Sequence, residues 1–404
     1  MIARAPYLFL LLILIPDLYL DWRYWHHRHT PWKRLLYWLP SIVMAAYTIM
    51  LMYERNFIPD NPTLLYIYLF LLGFIVIPKL VYVFCSLSGL ALCKLFRSHK
   101  NFGNLVGWLC VPVIWYILIY GTFIGFQKME VNRQTYTSTA LPAAFDGYKV
   151  VLFSDAHVGT YTGHRQWMLQ RAIDSINAQH PDMIVYVGDL QNAHPQEIYP
   201  QMDILSQLKA KDGVYSVLGN HDYAKYVDCN EAQKVANCRE TVSLEKQLGW
   251  TLLCNEHRTI ERGKERIIIA GMENDGDGIR FPQKGDIQQT LKGISKVTIS
   301  PPESGGARGG LNAPFVILLE HDPSSWRCRI VPDSRAQLTL SGHTHAMQFK
   351  LGQWSPLALV ASEWNGWYHE GRQSLFVTAG LGGLIPFRFG ATGEIVVITL
   401  HRPG

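Results

Sequence analysis

Residues 337–345 read Gln337-Leu338-Thr339-Leu340-Ser341-Gly342-His343-Thr344-His345, and this stretch decides how the C-terminal half of the chain is read. The apolar run 337–340 predicts a short strand, and it ends in Gly-His-Thr-His. On extended backbone alternate side chains share one face, so His343 and His345 can reach a single centre. Two imidazoles at a strand end have little structural use. They point to metal ligation.

Upstream, four more apolar runs end the same way. Residues 148–153 lead into Ser154-Asp155-Ala156-His157, and 183–187 into Gly188-Asp189. Residues 214–218 lead into Gly219-Asn220-His221-Asp222, and 315–319 into Glu320-His321-Asp322. Helices are predicted near 164–179 and 195–210, and further strands at 266–270, 375–378 and 395–400. Such alternation predicts a layered α/β fold, in which ligands gather at strand ends. The Pro-, Gly- and Ser-rich segment 300–310 reads as a surface loop. Any one block is weak evidence, because Gly-Asp is commonly a turn or a helix cap. Five in succession, each after an apolar strand, are decisive.

The donors are carboxylates, imidazoles and one amide, with no thiolate. That set suits two divalent ions such as Mn, Fe or Zn. Two ions about 3.5–4 Å apart, bridged by one carboxylate, can hold a hydroxide and grip both oxygens of an in-line displacement. A phosphate ester is the natural substrate, because its charge needs neutralising more than it needs covalent help.

The N-terminal part is different in kind. The 404-residue chain is 48% hydrophobic, 12% aromatic and only 17% charged, and the apolar excess lies in residues 1–126. The run 105–126 has no charge and is long enough to cross a bilayer, as are 35–53 and 63–93; 5–20 is weaker, with Pro16 and Asp17 inside it. These runs predict about four spans, a polar link over 127–147 and a catalytic domain over 148–404. Arg23, Arg28, Lys33 and Arg34 in one connection, and Lys94, Arg97 and Lys100 in another, mark the cytoplasmic side. The C-terminal domain then faces outward, into the periplasm of a Gram-negative cell, unless Pro78-Lys79 splits the third run into two crossings. The net charge of +5 with no basic stripe argues against nucleic acid. Cys229 and Cys238 are close enough in sequence to form either a small disulfide loop or two free thiols.

Over 149–400 the chain resembles the calcineurin-like metallophosphoesterase family, whose blocks Asp-x-His, Gly-Asp, Gly-Asn-His-Asp, a lone His and Gly-His-x-His occur here in order. It is similar to a bacterial membrane-associated branch that typically ends as Pro386-Phe387-Arg388-Phe389-Gly390 and a Glu-Ile-x-Val-Ile strand do here. The resemblance implies a β-sandwich flanked by helices. It also implies one metal held by Asp155, His157 and His345 with Asp189 bridging, and a second held by Asp189, Asn220, His321 and His343. His321 is preferred to His257 as the fourth block because a strand leads directly into it. The resemblance further implies that His221 faces the substrate and protonates the leaving oxygen, with Asp222 orienting it. Two departures stand out. Ala346-Met347-Gln348 replaces the branch's Gly-Gly-Gln, and Asn192 stands where a further acidic residue is common.

The expected activity is hydrolysis of a phosphate monoester, diester or pyrophosphate on a small molecule or lipid, at the membrane. Trp364, Trp367 and Tyr368 could bind an acyl chain or a base, or belong to the core. Arg388 could meet a substrate phosphate or form a surface ion pair. The alternative class is a membrane sensor or scaffold that binds a phosphorylated ligand without turnover. A transporter is disfavoured, since Lys79 is the one charge well inside a run and no polar pathway is visible.

Overall fold

A computed structural model describes residues 5–26, 29–54, 62–227, 229–278, 281–295 and 313–404. The loop expected at 300–310, and Arg28 of the first basic connection, lie outside them. The chain forms two compact units, Met1–Ile124 and Gly125–Gly404.

The second unit is built from two six-stranded sheets. The first contains β1 (Met129–Thr137), β12 (Gly393–His401), β2 (Tyr148–Phe153), β3 (Met183–Val187), β4 (Val214–Val217) and β5 (Thr251–Leu252), in that spatial order. The second runs β10 (Gly366–Glu370), β11 (Gln373–Val377), β9 (Leu338–Ser341), β8 (Phe315–Leu319), β7 (Glu265–Gly271) and β6 (Glu256–Arg262). Strands β2 to β5 are parallel, as are β7, β8, β9 and β11. All these parallel strand ends therefore deliver their loops to one edge of their sheet.

The central strands are buried on both faces, which is why they read as unbroken apolar runs. On β2, Val150 and Leu152 join Val185, Ile317 and Leu340 in the core between the sheets. Val151 and Phe153 point the other way, into a cluster with Leu169, Ile173 and Ile176 of the helix Gln166–Asn177. That helix carries its apolar residues on one stripe, as a helix covering a sheet must. The expected helix at 195–210 is instead a series of short turns ending in one helical turn, Met202–Leu205. Pro195 and Pro200 prevent a continuous hydrogen-bond ladder there.

The segment expected as a polar link carries β1, which pairs in parallel with β12 from Met129↔Gly393 to Thr137↔His401. Its residues alternate between part-buried and exposed, as on a half-solvated sheet edge. Its Asn, Arg and Gln content hid the strand from a reading based on hydrophobicity.

Pro31–Met52 and Pro62–Leu95 in the first unit, and Phe102–Gln127, which runs past its boundary at Ile124, are long and apolar enough to cross a membrane. The helix Ala5–Leu20 has 16 residues and runs on into a π turn, Asp21–Trp25. Pro62–Leu95 is continuous through Pro78-Lys79. A π turn over Leu72–Val76 ends two residues before the proline, and the Trp115 indole N–H donates to Phe74 O, the carbonyl that Pro78 leaves without an N–H. Lys79 is not an isolated charge. Its Nζ lies 2.8 Å from Asp17 Oδ1 and 2.8 Å from Ser41 Oγ, and Tyr37 also donates to Asp17.

Candidate metal centre

The loops that follow β2, β3, β4, β8 and β9 bring together every metal ligand expected from the sequence. They do so through unusual backbone. Asp155, His157, Asp189, His343 and His345 all have positive φ, between 44° and 71°. For non-glycine residues this conformation costs of order 1–3 kcal/mol each and persists only where the surroundings enforce it. Glycines allow the close approach. A Cβ on Gly219 would sit 2.2 Å from Asp189 Oδ1, and one on Gly342 would sit 1.9 Å from Ser154 Oγ. Each motif's glycine is thus fixed by a neighbouring ligand loop.

Two donor clusters result. Asp155, His157, Asp189 and His345 place one ligand atom each within 4.8 Å of the others, and so do Asp189, His321 and His343. Asp189 belongs to both. Asn220 Oδ1 joins the second cluster, 3.1 Å from His321 Nε2 and 2.7 Å from His343 Nδ1. The outer contacts fix which atoms point inward. His321 Nδ1 donates to Val187 O at 2.6 Å and His157 Nδ1 to Gln191 O at 3.2 Å, so each presents the Nε2 lone pair. Asn220 Nδ2 donates to the Tyr226 hydroxyl, which turns its oxygen inward. The His157 and His345 Nε2 atoms are 3.3 Å apart, and His321 Nε2 is 3.3 Å from Asp189 Oδ2. Lone pairs facing lone pairs call for cations between them. The residues present therefore fit a pair of divalent ions.

Electrostatics agree. Burial holds the His157 imidazole well below its usual range, helped by nearby His221, and lowers His345 to about 4. Both are neutral near pH 7, as metal ligands must be. Burial opposes ionisation of Asp189, yet His321, His221 and His157 carry its carboxyl well below the ordinary range. His321 moves the other way. Burial works against its proton, but the field of Asp189 overcomes that and raises it. Without metal, the second cluster retains a proton where a cation would sit.

His221 lies beside the clusters. Its Nδ1 donates to the Asn192 carbonyl at 2.6 Å and its amide N–H donates to Asp189 Oδ1, while among the described residues its Nε2 makes no hydrogen bond. Asp222 does not orient this ring, contrary to the expectation. Its carboxylate accepts from the backbone N–H groups of Asp189, Leu190, Gln191 and Gly219. It therefore clamps the bridging loop. Burial, then the charge of Asp189, pushes Asp222 up to about 6.

Two supporting carboxylates were not singled out from the sequence. Glu197 accepts from the N–H groups of Asn192, Ala193 and His194, and so holds the carbonyl that orients His221. Asp322 Oδ2 lies 3.5 Å from His343 Nε2, the outer partner of a ligating imidazole. The Asp322 signal was its place beside His321. Glu197 gave none, because its role depends on a loop fold.

The other candidates resolve as structure. Arg388 is buried and donates to the carbonyls of Ala379, Gly380, Gly382 and Ala391, so it is neither a phosphate contact nor a surface ion pair. Trp367 stacks on Tyr136 and donates to Gln134, and the Tyr368 hydroxyl accepts from the Trp364 and Asn365 amides. Trp364 packs against Ala346, Ala379 and Ala391. His257 is on β6 and donates to Thr290 O, outside both clusters. Asn192 donates from its side chain to Thr160. Cys229 and Cys238 are free thiols.

Residues 2–126 match the family model described as probable calcineurin-like phosphoesterase, transmembrane domain, and residues 148–347 match that of calcineurin-like phosphoesterase. The chain is 30% identical over 293 residues to the uncharacterized metallophosphoesterase YkuE of Bacillus subtilis, covering 70% of this chain and 88% of that protein. It is 29% identical over 297 residues to a transmembrane protein with metallophosphoesterase domain from Danio rerio, covering 71% of this chain and 60% of that one. A solved dimetal phosphatase from Danio rerio aligns over 60% of this chain and 89% of its own, at 12% identity and a TM-score of 0.30. The N-terminal region is a transmembrane region, and the chain belongs to the calcineurin-like metallophosphoesterase family, a family of metal-dependent phosphoester hydrolases.

Proposed function

We propose that this chain is a membrane-anchored phosphoester hydrolase working with two divalent ions, Mn, Fe or Zn, on a phosphorylated small molecule or lipid. The observation that carries this reading is Asp189, one carboxylate shared by two clusters of inward-facing lone pairs. Asp155, His157, Asp189 and His345 would hold one ion, and Asp189, Asn220, His321 and His343 the other. When bound, the ions would acidify water and neutralise the charge of the phosphoryl group. The chain's own residues do the rest. Asp222 and Glu197 hold the bridging and Asn192 loops in place by capping their N–H groups. His221, fixed through Nδ1, offers protonated Nε2 to the leaving oxygen.

We further propose that the catalytic unit starts at Gly125, so that β1 belongs to it, and that it faces outward from the cytoplasmic membrane. The basic residues Lys94, Arg97 and Lys100 after the third helix support that orientation. So does the unbroken helix Pro62–Leu95, which counts as one crossing.

The test is hydrolysis of p-nitrophenyl phosphate and bis-p-nitrophenyl phosphate by the full chain in detergent with Mn. His343→Ala should lose turnover and bound metal together. His221→Ala should lose about 10²–10⁴-fold in turnover, the range for a general acid, while keeping its metal. Two bound metals with no turnover of either ester would favour the sensor reading, and no bound metal would end this proposal.

A further inference from the structure

Among the described residues of Gly125–Gly404, nine large apolar side chains are exposed. Three are scattered: Trp167, Tyr199 and Val235. The other six, Met347, Leu351, Trp354, Leu359, Val360 and Leu384, lie in two loops. Leu359 and Val360 are 77% and 84% exposed.

Both loops border the metal ligands. The first begins at His345. His345, Ala346, Met347 and Gln348 all have positive φ, a run of four strained residues that buries Ala346 and turns Met347 out to solvent. Ser355 Oγ donates to Ala346 O, and Gln348 donates to the carbonyls of Ile385 and Phe387, so the two loops are tied into one rim. The second loop begins beside Asp155: Leu381 N–H donates to Ser154 O and Gly382 N–H to Asp155 O.

The same loop receives the chain where it enters this unit. Phe126 stacks on Tyr161 at 6.0 Å, and the Tyr161 hydroxyl donates to Leu381 O. The residues that open this unit thus pack beside the loop at Leu381, and their covalent link to the transmembrane helices keeps a bilayer within reach. Isolated exposed apolar residues need no explanation, but six of nine gathered in two linked loops beside a site do. Trp and aliphatic side chains on a short, rigid loop fit the boundary between headgroups and acyl chains.

We propose that this rim docks into the headgroup boundary of the membrane that holds the chain's own helices, so that the metal centre works on phosphoesters carried at the lipid surface. This rests on the hydrolase reading above for the choice of substrate.

The test uses the full chain in nanodiscs of phosphatidylethanolamine and phosphatidylglycerol containing a diazirine acyl-chain lipid, with crosslinks mapped by mass spectrometry. Crosslinks are expected within 347–360 and 381–385, reduced at least fivefold in the Leu359→Ser/Val360→Ser variant. Turnover of p-nitrophenyl phosphate by that variant in detergent should stay within twofold of wild type, showing that it is folded. Nanodiscs that also contain phosphatidic acid should inhibit p-nitrophenyl phosphate turnover at a mole fraction at least fivefold lower for wild type than for the variant. Crosslinks confined to residues 1–124, crosslinks from the rim to a second chain, or equal inhibition of both proteins would overturn the proposal. Rim crosslinks in a wild type that hydrolyses no ester would instead uphold the docking and sink the hydrolase reading.

Discussion

The two units handle buried charge in opposite ways. In the membrane unit, Asp17 is fully buried and meets the Lys79 ammonium, with Tyr37 donating to the same carboxylate. Arg34 likewise pairs with Asp21. In the catalytic unit, Asp155 and Asp189 are as deeply buried, yet among the described residues their ionic partners are only imidazoles. An anion closed by a permanent cation side chain is finished as structure. An anion met only by imidazoles, whether neutral like His157 and His345 or holding a proton like His321, can still exchange those partners for a metal cation. Burial alone therefore does not mark a functional site, whereas burial without a lysine or arginine partner does.

The largest test of this contrast is Asp189→Asn. It removes the one carboxylate common to both clusters, and turnover should fall by more than the ~100-fold that loss of an outer-shell partner causes. Metal analysis of the same preparation should show fewer than two ions per chain. If both ions remain, Asp189 is not the shared ligand.

In the membrane unit, Lys79→Met should leave turnover by the detergent-solubilised chain unchanged. It should still destabilise the chain by about 3–5 kcal/mol, the penalty for stranding a buried charge. Thermal unfolding would measure this, and a simultaneous Asp17→Leu should recover most of the loss. Lys79→Met that abolished turnover while the chain stayed folded would give the membrane charges a working role and erase the contrast.

Glu197→Gln probes the support beneath His221. It keeps the shape but weakens the acceptor for three N–H groups, so kcat should fall by roughly 10-fold, within the range for outer-shell partners, with bound metal unchanged. A change in KM alone would place Glu197 in substrate binding instead.

A separate test is a pH dependence of the metal-free protein. Burial lowers His345 to about 4. Between that value and the ordinary histidine range near 6.5, the unfolded chain binds the proton that the folded chain refuses, so this residue's contribution makes stability rise with pH. Relative to His345→Gln, wild type should lose stability as pH falls from about 6.5 to about 4. Parallel pH curves for the two proteins would show that His345 is not held neutral by the fold.

Much of this was legible from local sequence. The runs 148–153, 183–187 and 315–319 are apolar, apart from Lys149 near the start of the first, because their strands are covered on both faces, and their donors lie in the next few residues. The membrane helices announced themselves by length and lack of charge. What stayed hidden depends on partners far away in the chain. β1 looked like a link because an edge strand needs only one apolar face, and its identity comes from pairing with β12 more than 260 residues later. Asp222 and Arg388 looked like reagents, but the fold gives them backbone groups to satisfy.

The amino-acid order thus settled which strands form and which donors stand at their ends, because strand periodicity and donor chemistry are properties of a few adjacent residues. Only the packed sheets decided that Asp189 serves two clusters, that His221 leans on a carbonyl, and that six apolar side chains stand unburied in the two loops that adjoin the ligands. Those facts depend on distances between loops brought to one edge by parallel pairing, and on left-handed backbone that only a folded protein can enforce.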